Sequence, residues 1–323
     1  MGELLLVSRA EVAAHLAMAD CILLMREAMA ALSTGRTRQL LRSILDLEGG
    51  RAFGSMLGAM EETFGAKLIS VFPGAAGAAG AAGTPSHQGI VALFDPATGA
   101  PAAIVDAADV TGIRTAAASA AATDALARPD ARILAILGTG EQARRHAEAV
   151  PLVRPVERIL VWGRSRDKAE ALAAEIGGVA VASAEEAVRQ ADIICTVTAS
   201  SEPVLLSDWV RDGAHVNAVG SSRLGPAEID VPLVARARFF ADHAEGVLRQ
   251  GEEFARALAA GAIGEEHLLG EIGAVIAGTL PGRLAPSDVT LYKSLGSIVQ
   301  DLAACAWLAA KARAEGWGTR VAF

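Results

Sequence analysis

The sequence predicts an α/β protein with a doubly wound parallel-sheet domain and an α+β domain built from both chain ends. From Asp130 onward, short apolar strand patterns alternate with helical patterns at the spacing of βα units. The first third of the chain mixes helical and strand patterns, and a long helical pattern over residues 289–312 follows the alternating region. We therefore expect one domain over residues 118–297 and a second over residues 1–117 and 298–323.

The second of these domains contains one helical pattern and three strand patterns before its return at the C-terminus. Apolar residues recur at helical spacing over residues 12–32, and Ser8 with Glu11 three residues later predicts a capping box. The strand patterns cover residues 43–47, 67–72 and 89–94. Strands and helices in separate runs are typical of an α+β domain.

The alternating region predicts strands over residues 132–137, 158–162 and 193–198, with helices over 141–150, 167–176 and 184–189. Further strand patterns follow at residues 215–219 and 238–241. Strands that alternate with helices in this way form a parallel sheet, because each helix returns the chain to the edge where the next strand begins.

Composition and charge limit the partners. The net charge of −8 and the pI near 5.4 argue against nucleic acid and anionic membranes, since both require a basic surface. No apolar stretch approaches the length of a spanning helix, and the first residues lack the pattern of an export signal. The three cysteines and six histidines are dispersed without disulfide-framework or metal-ligand spacing. We expect a cytoplasmic protein without a metal, whose partner is a small molecule.

The loop after the first predicted strand carries a Gly-x-Gly-x-x-Ala pattern. Gly138 permits a tight turn, Gly140 lets the backbone approach a pyrophosphate, and Ala143 allows close helix–strand packing. The helix N-terminus that follows attracts phosphates. The alternative interpretation is an ordinary glycine-rich turn. In this strand–helix context the pattern predicts a Rossmann domain whose cofactor contacts are Gly138, Thr139, Gly140, Glu141, Gln142 and Ala143.

The end of the second strand indicates which dinucleotide is bound. An NAD site normally has an acid here for the ribose hydroxyls, whereas this chain has Gly163 followed by Arg164, Ser165 and Arg166. Two guanidinium groups and a hydroxyl suit a 2′-phosphate. This pattern favours NADP(H), and NAD(H) remains possible. Under the alternative interpretation, Arg166 is a solvated charge at a helix start.

Several short blocks occur in a fixed order between about Arg42 and Gly296. They are residues 67–73, Pro-Ser-His-Gln-Gly at 85–89, residues 93–99, Thr-Gly-Ile-Arg-Thr-Ala-Ala at 111–117, the loop at 138–143, Ala-Asp-Ile-Ile at 191–194, Asn-Ala-Val-Gly at 217–220 and Lys-Ser-Leu-Gly at 293–296. As an ordered set they resemble the ornithine cyclodeaminase/mu-crystallin family.

The resemblance implies a substrate-binding and dimerisation domain next to the Rossmann domain, a homodimer, a nicotinamide cofactor and a small amino or imino acid as substrate. It assigns Arg42, Lys67 and Arg114 to the substrate carboxylate. Three cations from separate segments repel one another unless an anion joins them, although each cation taken singly is typical of a surface charge. The resemblance also implies cofactor contacts from Thr198, Val219, Gly220, Ser221, Lys293 and Gly296.

Two positions differ from the cyclodeaminases of that family. Those enzymes resemble one another in an Asp two residues after the Gly of Asn-Ala-Val-Gly, and in an acid thirteen residues before the substrate Lys. Here the matching residues are Ser222 and Gly54. A cyclodeaminase needs proton acceptors and a carboxylate beside the cationic amine. The sequence therefore resembles the mu-crystallin branch, whose members include reductases of ketimines and cyclic imino acids.

The resulting hypothesis is NAD(P)H-dependent reduction of a small cyclic or acyclic imino acid to an amino acid. Lys67 and His87 are both candidates for the proton donor, and Ser222 is a candidate contact of the substrate or the nicotinamide. The alternatives are an amino-acid dehydrogenase like alanine dehydrogenase, an ornithine cyclodeaminase, and a non-catalytic crystallin-like protein that binds NADPH or a ligand.

Overall fold

Two β-sheets carry the fold, one in each of two units of the chain. The computed structural model describes residues 3–72 and 87–323, except for the side chain of His87. The first unit is Met1–Arg114 with Ser297–Phe323, and the second is Thr115–Gly296. A mixed sheet in the first unit and a parallel sheet between helices in the second confirm the predicted α/β class.

The first unit contains a mixed sheet. Its strands are β1 (Glu3–Val7), β2 (Arg38–Gln39), β3 (Ser43–Asp46), β4 (Ala52–Ala59), β5 (Phe64–Val71), β6 (His87–Phe94), β7 (Pro101–Asp106) and β16 (Thr319–Ala322). The strand order is β16-β1-β7-β6-β5-β4-β2, and β3 also pairs with β4. The pair β1–β7 is parallel and the other pairs are antiparallel. The helices are α1 (Arg9–His15), α2 (Met18–Ser33), α11 (Ile298–Glu315) and the start of α3 (Ala107–Leu126).

One predicted helix of the first unit is wrong in its extent. The helix predicted over residues 12–32 is divided into α1 and α2, because Leu16 and Ala17 adopt ψ values of 85° and 144°, outside the helical range. The capping box at its start is confirmed: Ser8 Oγ accepts from the Glu11 N–H, and the Glu11 carboxylate accepts from the Ser8 N–H at 2.7 Å. The amphipathic pattern continues across the break, which is why periodicity did not reveal it.

The second unit contains a parallel sheet with helices. Its strands are β8 (Ile133–Leu137), β9 (Arg158–Trp162), β10 (Val179–Ala180), β11 (Ile193–Thr196), β12 (His215–Ala218), β13 (Arg238–Ala241), β14 (Leu268–Glu271) and β15 (Thr290–Lys293). Its helices are α4 (Glu141–Ala149), α5 (Arg166–Ile176), α6 (Ala184–Val188), α7 (Val231–Arg236), α8 (Ala244–Gln250), α9 (Glu252–Ala259) and α10 (Ile272–Ile276). The order is β10-β9-β8-β11-β12-β15-β13-β14, parallel throughout.

Two apolar clusters bury the parallel sheet on both faces. Residues of β8 alternate between them: Ala135 and Leu137 belong to one cluster, and Leu134 and Ile136 belong to the other. Burial on both faces explains the continuous apolar runs of these strands. It also leaves the strand ends and the loops after them as the places where polar chemistry is presented.

The helix predicted over residues 289–312 is also wrong at its start. Its first residues form β15, and α11 begins only at Ile298. Gly296 lies between them with a φ of 88°, a left-handed conformation that favours glycine and that a continuous α-helix does not contain. Within the described ranges, no helix has both the length and the apolar character required to cross a bilayer.

Candidate active site

The parallel sheet reverses its strand order between β8 and β11, and this is where the predicted dinucleotide loop lies. Gly138 follows β8 directly and has a φ of 137°. A Cβ at Gly138 would lie 2.6 Å from the carbonyl oxygen of Val197, which follows β11, so no other residue fits there. Crevices at the carboxyl ends of strands beside such a reversal are where open α/β sheets bind ligands.

The helix after this loop presents its N-terminus without a side-chain cap. Gly140 is the N-cap residue of α4, and the space where its Cβ would lie is open to 4 Å. Ala143 is fully buried in the apolar cluster beneath the loop. Thr139 and Gln142 are half-buried, and Glu141 is exposed in the first turn. An uncapped N-terminus beside an open backbone surface fits the pyrophosphate of a dinucleotide.

The residues expected at a 2′-phosphate follow β9. Gly163 packs against Thr139, since a Cβ at position 163 would lie 2.5 Å from Thr139 Cγ2. Arg164 is exposed. Ser165 is the N-cap of α5 and accepts from the Lys168 N–H at 3.4 Å, while the exposed Arg166 pairs with Glu170 at 2.7 Å. The hydroxyl and one of the two predicted guanidinium groups therefore already have protein partners.

In the first unit, two of the three predicted substrate cations form one buried cluster. Lys67 on β5 is 2% exposed, Arg114 on α3 is 4% exposed, and both contact Asp301 on α11, which is completely buried. The Lys67 ammonium donates to Asp301 Oδ1 at 2.8 Å and to Thr111 Oγ1 at 2.6 Å. Arg114 donates from Nε to the same Asp301 oxygen at 3.2 Å and from Nη1 to Gln300 Oε1 at 2.8 Å.

Asp301 is an anion that the sequence motifs did not predict. Two neighbouring cations are held together by a carboxylate of the protein itself, in addition to any carboxylate of a substrate. The signal was present in the sequence: an acid lies in a helical pattern next to the apolar residues Ile298, Val299 and Leu302, where burial requires a charged partner. Asp301 Oδ2 and Gln300 Nε2 are buried without a hydrogen-bond partner in the described part of the chain.

Burial and charge set the protonation of the cluster. Burial, with the charges of Arg114 and the half-buried Arg42, lowers the pKa of Lys67 to about 8, although Asp301 opposes this shift. Burial raises the pKa of Asp301, but Arg114 and Lys67 outweigh this effect and hold that pKa below its usual value. The cluster thus contains a carboxylate that stays ionised and an amine that gains or loses its proton near neutral pH.

Gly54 and Ser222 occupy the two positions at which cyclodeaminases have acids. Gly54 on β4 pairs with Ile69 of β5, so it lies on the same sheet face as Met56, the partner of Lys67. A Cβ at Gly54 would lie 3.2 Å from the Ile69 side chain. Ser222 is half-buried in the loop after β12. Neither position supplies an acid, and the carboxylate of the Lys67 cluster comes from α11 instead.

Most of the remaining predicted cofactor residues follow β11 and β12. Thr198 donates its N–H and its hydroxyl to Glu228 Oε1, and Gly220 donates its N–H to Glu228 Oε2. The Ser221 hydroxyl donates to the carbonyl of Pro226. Val219, which precedes Gly220, is buried.

The last predicted cofactor residues belong to the end of β15 and the loop after it. Lys293 is buried, and its ammonium lies 2.9 Å from Glu253 Oε2. Gly296 donates its N–H to Asp242 at 2.6 Å. Lys293 and Ser221 therefore direct their polar groups to protein partners. The backbone of His87 begins β6, but its side chain lies outside the described part of the chain. Among the described residues, no group of acids, cysteines and histidines could hold a metal ion.

The fold and the loop after β8 define a Rossmann-type protein. The family model of the ornithine cyclodeaminase/mu-crystallin family matches residues 3–316. A curated mouse protein (Mus musculus), ketimine reductase mu-crystallin, is 36% identical over 290 residues, which are 88% of this chain and 87% of that protein. The chain belongs to the ornithine cyclodeaminase/mu-crystallin family, as its motifs predicted, and the expectation of an oxidoreductase is confirmed with it.

Solved structures agree with this assignment. Thermococcus litoralis Delta(1)-pyrroline-2-carboxylate reductase, in complex with NADH and L-proline, superposes with a TM-score of 0.93 at 32% identity, covering 98% of this chain and 100% of that one. An archaeal alanine dehydrogenase dimer with bound NAD has a TM-score of 0.93 at 28% identity, with full coverage of both chains. A reductase and a dehydrogenase thus share this fold over its whole length.

Proposed function

We propose that the protein is an NAD(P)H-dependent reductase that converts a small imino acid, such as a cyclic five- or six-membered ketimine, into the corresponding amino acid. The observation that carries this proposal is the buried cluster of Lys67, Arg114 and Asp301. The cluster combines positive charges that suit a substrate carboxylate with an amine whose pKa is lowered. Mouse and Thermococcus relatives named as ketimine and pyrroline-2-carboxylate reductases support the substrate class.

Arg42, Lys67 and Arg114 are proposed to bind the substrate carboxylate. Lys67 and Arg114 carry two positive charges against the single negative charge of Asp301, so the cluster retains one net positive charge for a second carboxylate. The Arg42 charge adds to this, since it contributes to the lowered pKa of Lys67. A planar guanidinium can bind a carboxylate through two parallel hydrogen bonds, and Arg114 supplies such a group.

Reduction of an imine adds a hydride to its carbon and a proton to its nitrogen. Bound NAD(P)H supplies the hydride, and the Gly138–Ala143 loop with the α4 N-terminus fits its pyrophosphate. Lys67 is the proposed proton donor, because an ammonium with a pKa of about 8 is mostly protonated at neutral pH and releases its proton readily. His87 remains the other proposed donor, and Ser222 a proposed contact of the substrate or the nicotinamide.

NADP(H) is the proposed preference, with NAD(H) as the alternative. Gly163 stands where an acid would repel a 2′-phosphate, and the exposed Arg164 adds a positive charge beside it. The pairing of Arg166 with Glu170 weakens this argument, since that guanidinium must leave Glu170 to reach a phosphate. The NADH and NAD in the related structures make NAD(H) a specific alternative.

The protein is also proposed to be a homodimer in the cytoplasm. Leu45 and Phe53 are directly paired across β3 and β4, Leu57 lies on the same face as Phe53, and the three side chains are 61%, 40% and 48% exposed. An apolar sheet face of this kind is typical of a subunit interface, and the related alanine dehydrogenase is described as a dimer. Cys21, Cys195 and Cys305 are buried as free thiols, which supports a reducing compartment.

The test is oxidation of NADPH and NADH, followed by near-ultraviolet absorbance, with a panel of cyclic and acyclic imino acids. L-ornithine with NAD⁺ serves as the parallel reaction, and alanine with NAD⁺ or NADP⁺ tests the dehydrogenase alternative. Turnover of an imino acid without turnover of ornithine is the expected result. Formation of proline and ammonia from ornithine would instead support the cyclodeaminase alternative. Cofactor binding without any turnover would indicate a ligand-binding protein.

A further inference from the structure

A single buried carboxylate joins the two loops that follow β11 and β12. Glu228 is completely buried and accepts four hydrogen bonds. Its Oε1 accepts from the N–H and the hydroxyl of Thr198, at 2.6 and 2.7 Å. Its Oε2 accepts from the Thr196 hydroxyl at 2.8 Å and from the Gly220 N–H at 2.6 Å. One oxygen thus holds the loop after β11, and the other holds the end of β11 and the loop after β12.

The two loops touch each other at the position that Glu228 fixes. A Cβ at Gly220 would lie 2.1 Å from the carbonyl oxygen of Thr198 and 2.4 Å from Glu228 Oε1. Only glycine allows this approach, and no side chain separates the two loops. Their relative position therefore depends on the carboxylate beside them.

Glu228 is itself held firmly. Its carbonyl accepts from the N–H groups of Val204 and Leu205, at 2.8 and 3.0 Å, and its own N–H donates to Glu253 Oε1 at 3.2 Å. Glu253 in turn pairs with Lys293 at the end of β15. The network reaches the carboxyl ends of three neighbouring strands, β11, β12 and β15.

We infer that Glu228 is a positioning residue, which sets the geometry of the two loops on which the nicotinamide end of the cofactor rests. This inference depends on the proposed function, because it takes Thr198 and Gly220 as cofactor contacts. All four partners of Glu228 donate, so the role requires an acceptor at both oxygens. An amide would place an N–H against another donor at one of the two ends.

The test is Glu228→Gln, measured with NADPH and with NADPH deuterated at the transferred position. The proposed pyrophosphate loop, residues 138–143, contains no hydrogen-bond partner of the Glu228 carboxylate, so NADPH affinity should change little. Misplacement of the nicotinamide should lower kcat on the order of 100-fold. The isotope effect on kcat should rise, because hydride transfer then limits the rate. A variant with wild-type kcat and isotope effect would overturn the inference, as would a fall in kcat without a larger isotope effect.

Asp230→Asn is the matched control. Asp230 is an acid two residues further along the same segment. It accepts from the N–H of Leu233, in the first turn of α7, and from the N–H of Ser207, and the hydrogen bonds described do not join it to either loop. The Asp230→Asn protein should be less stable than the wild type and should keep the wild-type isotope effect. If Glu228→Gln does not fold, Thr196→Val removes one donor to Oε2 and decides the question: a raised isotope effect supports the inference, and an unchanged one refutes it.

The same variants separate failure of this inference from failure of the proposed function. If wild-type protein binds NADPH but reduces no imino acid, the proposed function fails. Fluorescence of the bound nicotinamide then tests Glu228 alone. Glu228→Gln should lose the fluorescence enhancement of the bound nicotinamide while it retains NADPH affinity, and an unchanged enhancement would refute the positioning role.

Discussion

Replacement of Asp301 by Asn tests the cluster of Lys67, Arg114 and Asp301. Asp301 has no exposed surface, and the side chains of Lys67 and Arg114 are almost as deeply buried. Removal of its charge leaves two buried cations without their anion, which costs about 3–5 kcal/mol in the free energy of unfolding. Urea unfolding of the wild type and of the Asp301→Asn variant at pH 7 measures this difference in the free energy of unfolding.

The pH dependence of the loss has a definite sign. Asp301 raises the pKa of Lys67 against the effect of burial, so this pKa falls below about 8 when the carboxylate is removed. The part of the stability that comes from the Lys67–Asp301 pair is present below about pH 8 and is lost as Lys67 loses its proton. The difference between the two proteins should therefore shrink between pH 7 and pH 9, while the part from Arg114 remains.

The catalytic consequence follows from the same shift. With Lys67 as proton donor, kcat/KM should decline as the pH rises past about 8 in the wild type, and at lower pH in Asp301→Asn, because kcat/KM reports the pKa of the free protein. Asp109→Asn is the control, because Asp109 is also buried but pairs with the half-exposed Arg9 at 3.0 Å. An alkaline limb that stays in place in Asp301→Asn would refute this account of Lys67.

Three further changes test other parts of the proposal. Arg114→Ala should raise the substrate KM or abolish turnover while NADPH affinity, measured by fluorescence titration, survives; a loss of cofactor binding would mean that Arg114 is misassigned. Gly163→Asp should raise the KM for NADPH and spare NADH, since the carboxylate repels a 2′-phosphate, and combination with Thr139→Ser removes the methyl group that a Cβ would strike. Equal effects on both cofactors would contradict the NADP(H) preference. Leu57→Glu should lower the molar mass measured by light scattering to that of a monomer, whereas Leu23→Glu, at another exposed leucine, should not.

The sequence predicted the parallel-sheet unit better than the mixed one. Alternation of apolar strands with helices marked β8, β9 and β11, because burial on both faces makes such strands continuously apolar. In the mixed sheet, β4 was missed because Gly54 and Gly58 interrupt its pattern. Gly58 is required there by packing, since a Cβ would lie 2.6 Å from Ile298 of α11.

The polar residues of the site were harder to predict, because their partners are far away in the sequence. The family motifs predicted Lys67 and Arg114 as site residues, but Asp301 is 234 residues from Lys67 and lies outside those motifs. Glu228 was missed for the same reason: it lies outside the glycine-rich blocks that it supports. Lys293 stays a predicted cofactor contact, but its ion pair with Glu253, 40 residues before it, was not predicted.

The most direct test of the central claim is the fate of the transferred hydrogen. The protein is incubated with a cyclic imino acid and NADPH deuterated at the transferred position, and the product is analysed by mass spectrometry and NMR. The proposed function requires an amino acid with one deuterium, located on the α-carbon. An amino acid without deuterium, or consumption of NADPH without an amino acid, would contradict reduction of the imine by direct hydride transfer.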